Sequence, residues 1–347
     1  MKRVFLILVF IFSLSVLKIV KAQDVHFSQF SQTPQLINPA STGVFEGSFR
    51  GIINYRKQWS SFGEGYKTYG ASFDGAITKK NSKGSFLGLG ANFYKDVAGK
   101  SNFGNLQIGF SPSAVLAIAQ NQTLSLGIQA AYGQYSANLS SLTWGNQFNG
   151  EGFDSQANSN ENFSIESSSY FDLGSGIYYE FKNTNSSFLG GEMSNVNIGI
   201  AGYHLNQPKQ SFFSNSNDVI PMKIVAQAAG NFDLADSKLA LVPSVFYATQ
   251  KSLDEITMGM LLKVKMGKTE TTYSGLFKQG AIYFGGHYRF NDAIIPHVYL
   301  EFTDYMIGIS YDYNISGLSS VSGGSGGLEI SIRYVNKPKA LHKSSFK

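Results

Sequence analysis

The stretch GLEISIRY, Gly327–Tyr334, decides how this chain folds. Leu328, Ile330, Ile332 and Tyr334 alternate strictly with Glu329, Ser331 and Arg333. Successive side chains of a strand point to opposite faces. One face is therefore apolar and the other carries a carboxylate and a guanidinium. The same pattern recurs nearby. In AIYFGGHYRF (Ala281–Phe290), Ile282, Phe284, Tyr288 and Phe290 oppose Tyr283, His287 and Arg289. In YMIGISYDY (Tyr305–Tyr313), the odd-numbered aromatic and aliphatic residues oppose Ser310 and Asp312. A water-soluble sheet would turn the apolar face inward; a lipid-embedded sheet would turn it outward.

Composition chooses between the two. The 347 residues include 37 Gly, 19 Tyr and 28 Phe, and only 15% are charged. Soluble domains carry about 25% charged residues, whereas Gly and aromatics scattered through short alternating segments are the habit of membrane barrels. A Lys or Arg facing lipid at the bilayer midplane costs about 2–4 kcal/mol. The apolar faces are thus expected to meet lipid and the charges to meet a lumen. On this register Leu89→Arg or Ile330→Arg is expected to impair membrane assembly, and Ser331→Arg to be better tolerated.

The N-terminus supports export. Lys2 and Arg3 precede the apolar run VFLILVFIFSLSVL, and Val20 and Ala22 stand at −3 and −1 of a cut before Gln23. This reads as a cleaved signal peptide, residues 1–22. No later run reaches the 18 or more apolar residues of a membrane helix. Beyond it the chain reads as about fourteen strands between residues 49 and 335, an even number as single-chain outer-membrane barrels require. The expected fold is all-β: a transmembrane antiparallel β-barrel behind a cleaved signal peptide, located in the outer membrane. Residues 23–48 are expected as a periplasmic N-terminal segment and 336–347 as a periplasmic tail. Short turns at QNQT (Gln120–Thr123) and LADS (Leu234–Ser237) mark the periplasmic end. The long Asn138–Ser168 then falls outside. Asn38-Pro39 is a turn signal in a segment able to fold back and brace or plug the lumen.

The search for chemistry is short. Cysteine is absent, so disulfides and thiolate metal sites are excluded. Basic residues, 28 against 23 acidic, are dispersed rather than clustered with aromatics, which argues against nucleic-acid binding. The five histidines (His26, His204, His287, His297, His342) lie outside any HExxH or GxSxG context. His287 and Asp312 could join a serine triad on paper, but serine is too frequent for that match to weigh. SGGSGG (Ser322–Gly327) lacks the Lys-Ser/Thr and helix of a phosphate loop and is expected as a flexible outer loop. No catalytic centre, cofactor or metal site is expected. Arg56, His287, Arg289, Asp312, Glu329 and Arg333 are expected to form a lumenal polar network, because charges in a closed lumen must pair. Trp144, Phe148, Phe153 and Phe163, set among Ser, Asn and Gly in the long loop, are the candidate partner-binding residues.

Several motifs also carry a likeness. QDVHFSQFSQTPQLINPASTG (Gln23–Gly43), YRKQW (Tyr55–Trp59), GGHYRFNDA (Gly285–Ala293), GISYDYNIS (Gly308–Ser316) and GGLEISIRY (Gly326–Tyr334) stand in an order that resembles the PorP/SprF family of type IX secretion outer-membrane proteins of the Bacteroidetes. The likeness runs over essentially the whole chain beyond the leader, apart from about 138–168 and 206–218. It implies a non-enzymatic barrel that assists secretion or surface anchoring of a cognate secreted protein, such as a gliding adhesin with a type IX C-terminal secretion domain. It also implies contact with a periplasmic peptidoglycan-binding lipoprotein and other type IX components. The competing expectation is a passive pore or hydrophobic-solute transporter of the same shape.

Overall fold

The computed structural model describes residues 24–59, 64–77, 84–139, 142–154, 156–160, 167–183, 190–210, 218–266, 280–317 and 319–336. The expected signal peptide, the tail beyond 336 and Phe163 lie outside these residues. The strands are β1 (Phe49–Gln58), β2 (Tyr66–Ala76), β3 (Phe86–Ala98), β4 (Phe103–Ala119) and β5 (Gln122–Ser136). Next come β6 (Ser167–Asn183), β7 (Gly190–Tyr203), β8 (Lys223–Leu234), β9 (Leu239–Gln250) and β10 (Leu253–Met266). The last are β11 (Gly280–Arg289), β12 (Ala293–Phe302), β13 (Tyr305–Asn314) and β14 (Ser325–Val335).

All fourteen are antiparallel to their sequence neighbours, and β1 closes on β14 from Arg50–Val335 to Gln58–Gly327. Closure leaves no sheet edge, which is what lipid demands of a β-structure. Among the described residues no helix is long and apolar enough to cross a membrane.

The alternation in GLEISIRY has the inverted, lipid-facing sense. Ile330 is 36% exposed and Ile332 45%, while Glu329 and Ser331 are buried at 0% and 1%. The pattern of β13 is strictly exposed–buried over its whole length. One expectation is corrected here: SGGSGG is not a flexible loop. Ser319–Ser322 forms one helical turn, Gly323 and Gly324 turn the chain with φ of 60° and 82°, and Ser325–Gly327 already belong to β14. A Cβ on Gly326 would lie 2.3 Å from the Asp312 carbonyl oxygen, so close strand approach demands the glycine there.

The barrel has two distinct ends. The chain enters β1 and leaves β14 side by side, with Ser48 N donating to Asn336 O at 2.9 Å. The connections 120–121, 235–238 and 303–304 lie at this terminal end. The opposite, loop end carries 137–166, 204–222 and 315–324.

The outward register yields a direct test. Leu89→Arg and Ile330→Arg place a cation on the lipid face and should cost about 2–4 kcal/mol each. Asn231→Arg lies on the inner face, against open space, and should fold as the parent does. Heat-modifiable gel mobility reads barrel folding; equal folding of all three variants would contradict the register.

Candidate functional site: a polypeptide plug across the lumen

Residues 24–43 lie inside the barrel, the fold-back into the lumen that the Asn38-Pro39 turn signal allowed for this segment. At the loop end, Asp24 N donates to Gln250 Oε1 (3.0 Å) at the last residue of β9. At the other end, Gly43 N donates to Asp74 Oδ2 (2.8 Å) low on β2, and Thr42 O accepts from Ser113 Oγ (2.7 Å) on β4. The segment therefore runs the length of the lumen before turning back into β1. The reason is polar: its backbone groups need partners, and the inward faces of the strands supply them.

The middle of the plug is built by PQLINPAS. Pro34 opens the single turn α1 (Pro34–Ile37), as proline suits a first helical position. Pro39 then forces a second, tighter turn at Pro39–Ser41. Asn38 joins the two: its Oδ1 accepts from Ala40 N (2.9 Å), and its Nδ2 donates to the carbonyls of Ile177 (2.9 Å) and Ile200 (3.3 Å). The seat is cut from glycines. A Cβ on Gly127 would lie 2.5 Å from Ala40, on Gly176 2.1 Å from Asn38 Oδ1, and on Gly199 2.6 Å from Asn38 Nδ2. Apolar packing adds to this, with Phe30 stacked on Phe246 at 5.4 Å and Ile37 buried beside Ala201 and Val225.

Towards the loop end the plug meets a buried charge cluster. Glu329 accepts Ser28 N on Oε2 (2.7 Å) and Gln29 N on Oε1 (3.0 Å). Asp312 Oδ2 accepts Ser28 Oγ (2.8 Å), Arg56 Nη2 (2.8 Å) and Arg289 Nη1 (3.0 Å). Arg289 Nη2 donates to Ser28 Oγ (2.8 Å), and its Nε lies 3.2 Å from Glu255. Arg56 also donates to His26 O and approaches Glu329 at 3.9 Å. Four of the six expected network residues, Arg56, Arg289, Asp312 and Glu329, thus come together. His287 does not join them: its Nε2 pairs with Ser244 Oγ (2.7 Å) and its ring meets Phe30 edge-on. Arg333 lies towards the terminal end, away from the cluster. Ser331 is also not free to become Arg, because its Oγ donates to Gln29 Oε1 at 2.6 Å. The expectation that Ser331→Arg is better tolerated than the lipid-face variants is therefore withdrawn.

A second polar clamp was not read from sequence. His204, just past β7, bonds Asp24 Oδ2 through Nε2 (2.6 Å) and Asp172 Oδ1 through Nδ1 (2.9 Å). Lys223 stands 4.0 Å from the same Asp24 carboxylate. In the long loop, Trp144 opens a 3-10 turn, and Phe148 pairs with Phe153 in an antiparallel bridge. Both phenylalanines are exposed.

Residues 19–334 match the family described as "Type IX secretion system membrane protein PorP/SprF". The chain belongs to that family. It is an outer-membrane barrel of type IX secretion. Similar solved structures include the Ralstonia pickettii toluene transporter TbuX (9% identity, TM-score 0.46, 87% of this chain and 92% of that one). The monoaromatic hydrocarbon channel CymD (10%, 0.46, 91% and 95%) and Acinetobacter baumannii Omp33 (9%, 0.39, 84% and 98%) are others. No curated protein matches the sequence.

In this PorP/SprF-family barrel the Asp24 clamp is pH-dependent. Burial opposes the charge of His204, but hydrogen bonds to Asp172 and Asp24 outweigh it and push the imidazole up to about 9. Burial likewise opposes the charge of Asp24, yet the bond to His204 and the Lys223 charge hold its carboxyl down to about 2. A raised folded-state value means that the His204 contribution is complete below its ordinary 6.5 and disappears as pH rises through about 9. The depressed Asp24 value acts in the opposite sense and is lost only as pH falls towards about 2. The chain has no cysteine, so Val25→Cys accepts a single spin label. Its spectrum should be immobilised at pH 7 and mobile above pH 9, and mobile at both in His204→Gln. An unchanged spectrum across that range would contradict the clamp.

Proposed function

We propose that this barrel assists secretion, surface anchoring, or both, of a cognate secreted protein through protein–protein contact at its loop end, which faces outside. The partner class is a secreted protein, such as a gliding adhesin, carrying a type IX C-terminal secretion domain. A periplasmic peptidoglycan-binding lipoprotein engages the terminal end. The observation that carries this reading is the plug: a lumen crossed by the barrel's own chain leaves the ends as the working surfaces. It weighs against a passive open pore.

The loop between β5 and β6 supports the choice of end. Its residues 144–154 are held by their own bonds: Trp144 N to Gln147 Oε1 (3.1 Å), Asp154 N to Gln147 O (2.8 Å), and Gly152 N to Asn149 Oδ1 (2.8 Å). That frame presents Phe148 and Phe153 at 61% and 52% exposure. Aromatics on an adaptable polar frame suit protein recognition.

Replacing 144–163 with a short Gly/Ser linker should leave the barrel folded, because closure depends on the strands. The secreted partner should then appear in the medium or fail to be exported. Normal surface retention of the partner by the shortened protein would remove this loop as the binding site.

A further inference from the structure

Between the plug and the terminal mouth lies a cavity of about 580 Å³, within the usual size range of a ligand site. Its two walls differ in chemistry. The side built from β10, β11, β12, β14 and β1 carries Lys263, Tyr283, Glu301, Arg333 and Arg50. The facing side, from the β4–β5 turn through β8, carries the amides Gln120, Asn121, Gln122, Asn195 and Asn231 together with Lys182 and Glu180, whose Oε1 accepts from Asn195 Nδ2 at 3.1 Å. The inner end of the plug, Val44–Glu46, forms part of the lining.

Most lining charges are already matched. Glu301 accepts from Tyr283 Oη (2.6 Å) and lies 3.7 Å from Lys263. Arg50 is bidentate to Asp74, and Lys182 pairs with Glu46. Arg333 is different: it makes no hydrogen bond or ion pair among the described residues. Across the cavity the buried carbonyl oxygens Oδ1 of Asn195 and Asn231 are without partners among the described residues. A planar cation with paired donors thus faces two unused acceptors. Guanidinium groups recognise carboxylates in this fork geometry, and amide oxygens accept backbone N–H groups.

We propose that this vestibule binds an extended acidic peptide segment of a partner protein, its carboxylate on Arg333 and its backbone N–H groups on the Asn195–Asn231 wall. A small inorganic anion would use the guanidinium but neither fill the volume nor need the amide wall. The site lies at the opposite end from the loop surface and stands independently of it. A peptide bound here would touch Val44–Glu46, the inner end of the plug.

The test uses the full-length barrel in detergent and fluorescence anisotropy. The probe is a short fluorescein-labelled Gly/Ser peptide carrying one Glu and one Asp, beside its Gln/Asn counterpart. The acidic peptide should bind the parent, and the Gln/Asn peptide should bind at least about tenfold more weakly, the value of one charge-assisted hydrogen bond. Arg333→Gln should weaken the acidic peptide by about tenfold, and Arg333→Lys by less. Should Arg333→Gln fail the gel-mobility check for folding, Lys263→Gln reads the same wall and should cost several-fold. Absence of binding, equal binding of both peptides, or full affinity in a folded Arg333→Gln barrel would overturn the proposal. So would displacement by inorganic phosphate at the peptide's own concentration, which would make this an anion site.

Discussion

The desolvated cluster of Arg56, Arg289, Asp312 and Glu329 is the constraint on which the interior depends. Four ionisable groups cannot be buried cheaply, and attraction between them offsets desolvation only when the remaining lone pairs and protons are also satisfied. The barrel wall alone does not supply enough partners. Glu329, fully buried, has only a distant guanidinium at 3.9 Å and takes its close hydrogen bonds from the plug, from Ser28 N and Gln29 N. Ser28 Oγ then bridges Asp312 and Arg289. The plug completes the cluster, and the cluster holds the plug. Removing one partner from such a buried set costs about 3–5 kcal/mol, so wall and plug are energetically one unit.

The rest of the plug rests on shape rather than charge. Gly127, Gly176 and Gly199 lie on adjacent strands and leave a hollow that the turn at Asn38–Ser41 fills. Further out, His204 draws the start of the segment towards Asp172. Attachment is therefore graded along the lumen. The Asp24 end depends on a titrating group, the centre on packing and charge, and the Gly43 end on Asp74.

The barrel was legible in the sequence because period-two alternation is local: each strand announces its lipid face within eight or ten residues. Which charges meet was half legible. Arg56, Arg289, Asp312 and Glu329 all fall on inward positions, so pairing among them follows from the cost of leaving them alone. Their plug partners did not, because Ser28 and Glu329 are 301 residues apart and nothing in HFSQFSQ marks its serine as a ligand of a carboxylate. The Asp24–His204–Asp172 clamp was hidden for the same reason. Arg333 shows the limit of reasoning from one face alone: it points inward with the others but lines the cavity at the terminal end with Glu301 and Tyr283, apart from the cluster. SGGSGG was misread because glycine serves both turns and close strand approach, and only the neighbouring strand decides between them.

The central claim is that the N-terminal segment closes the lumen. Single-channel recording in planar bilayers tests it most directly, comparing the parent barrel with a variant lacking residues 24–43 whose folding is verified by gel mobility. The account predicts a silent parent and steady ionic conductance from the deletion variant. A parent that conducts as freely as the variant would contradict it.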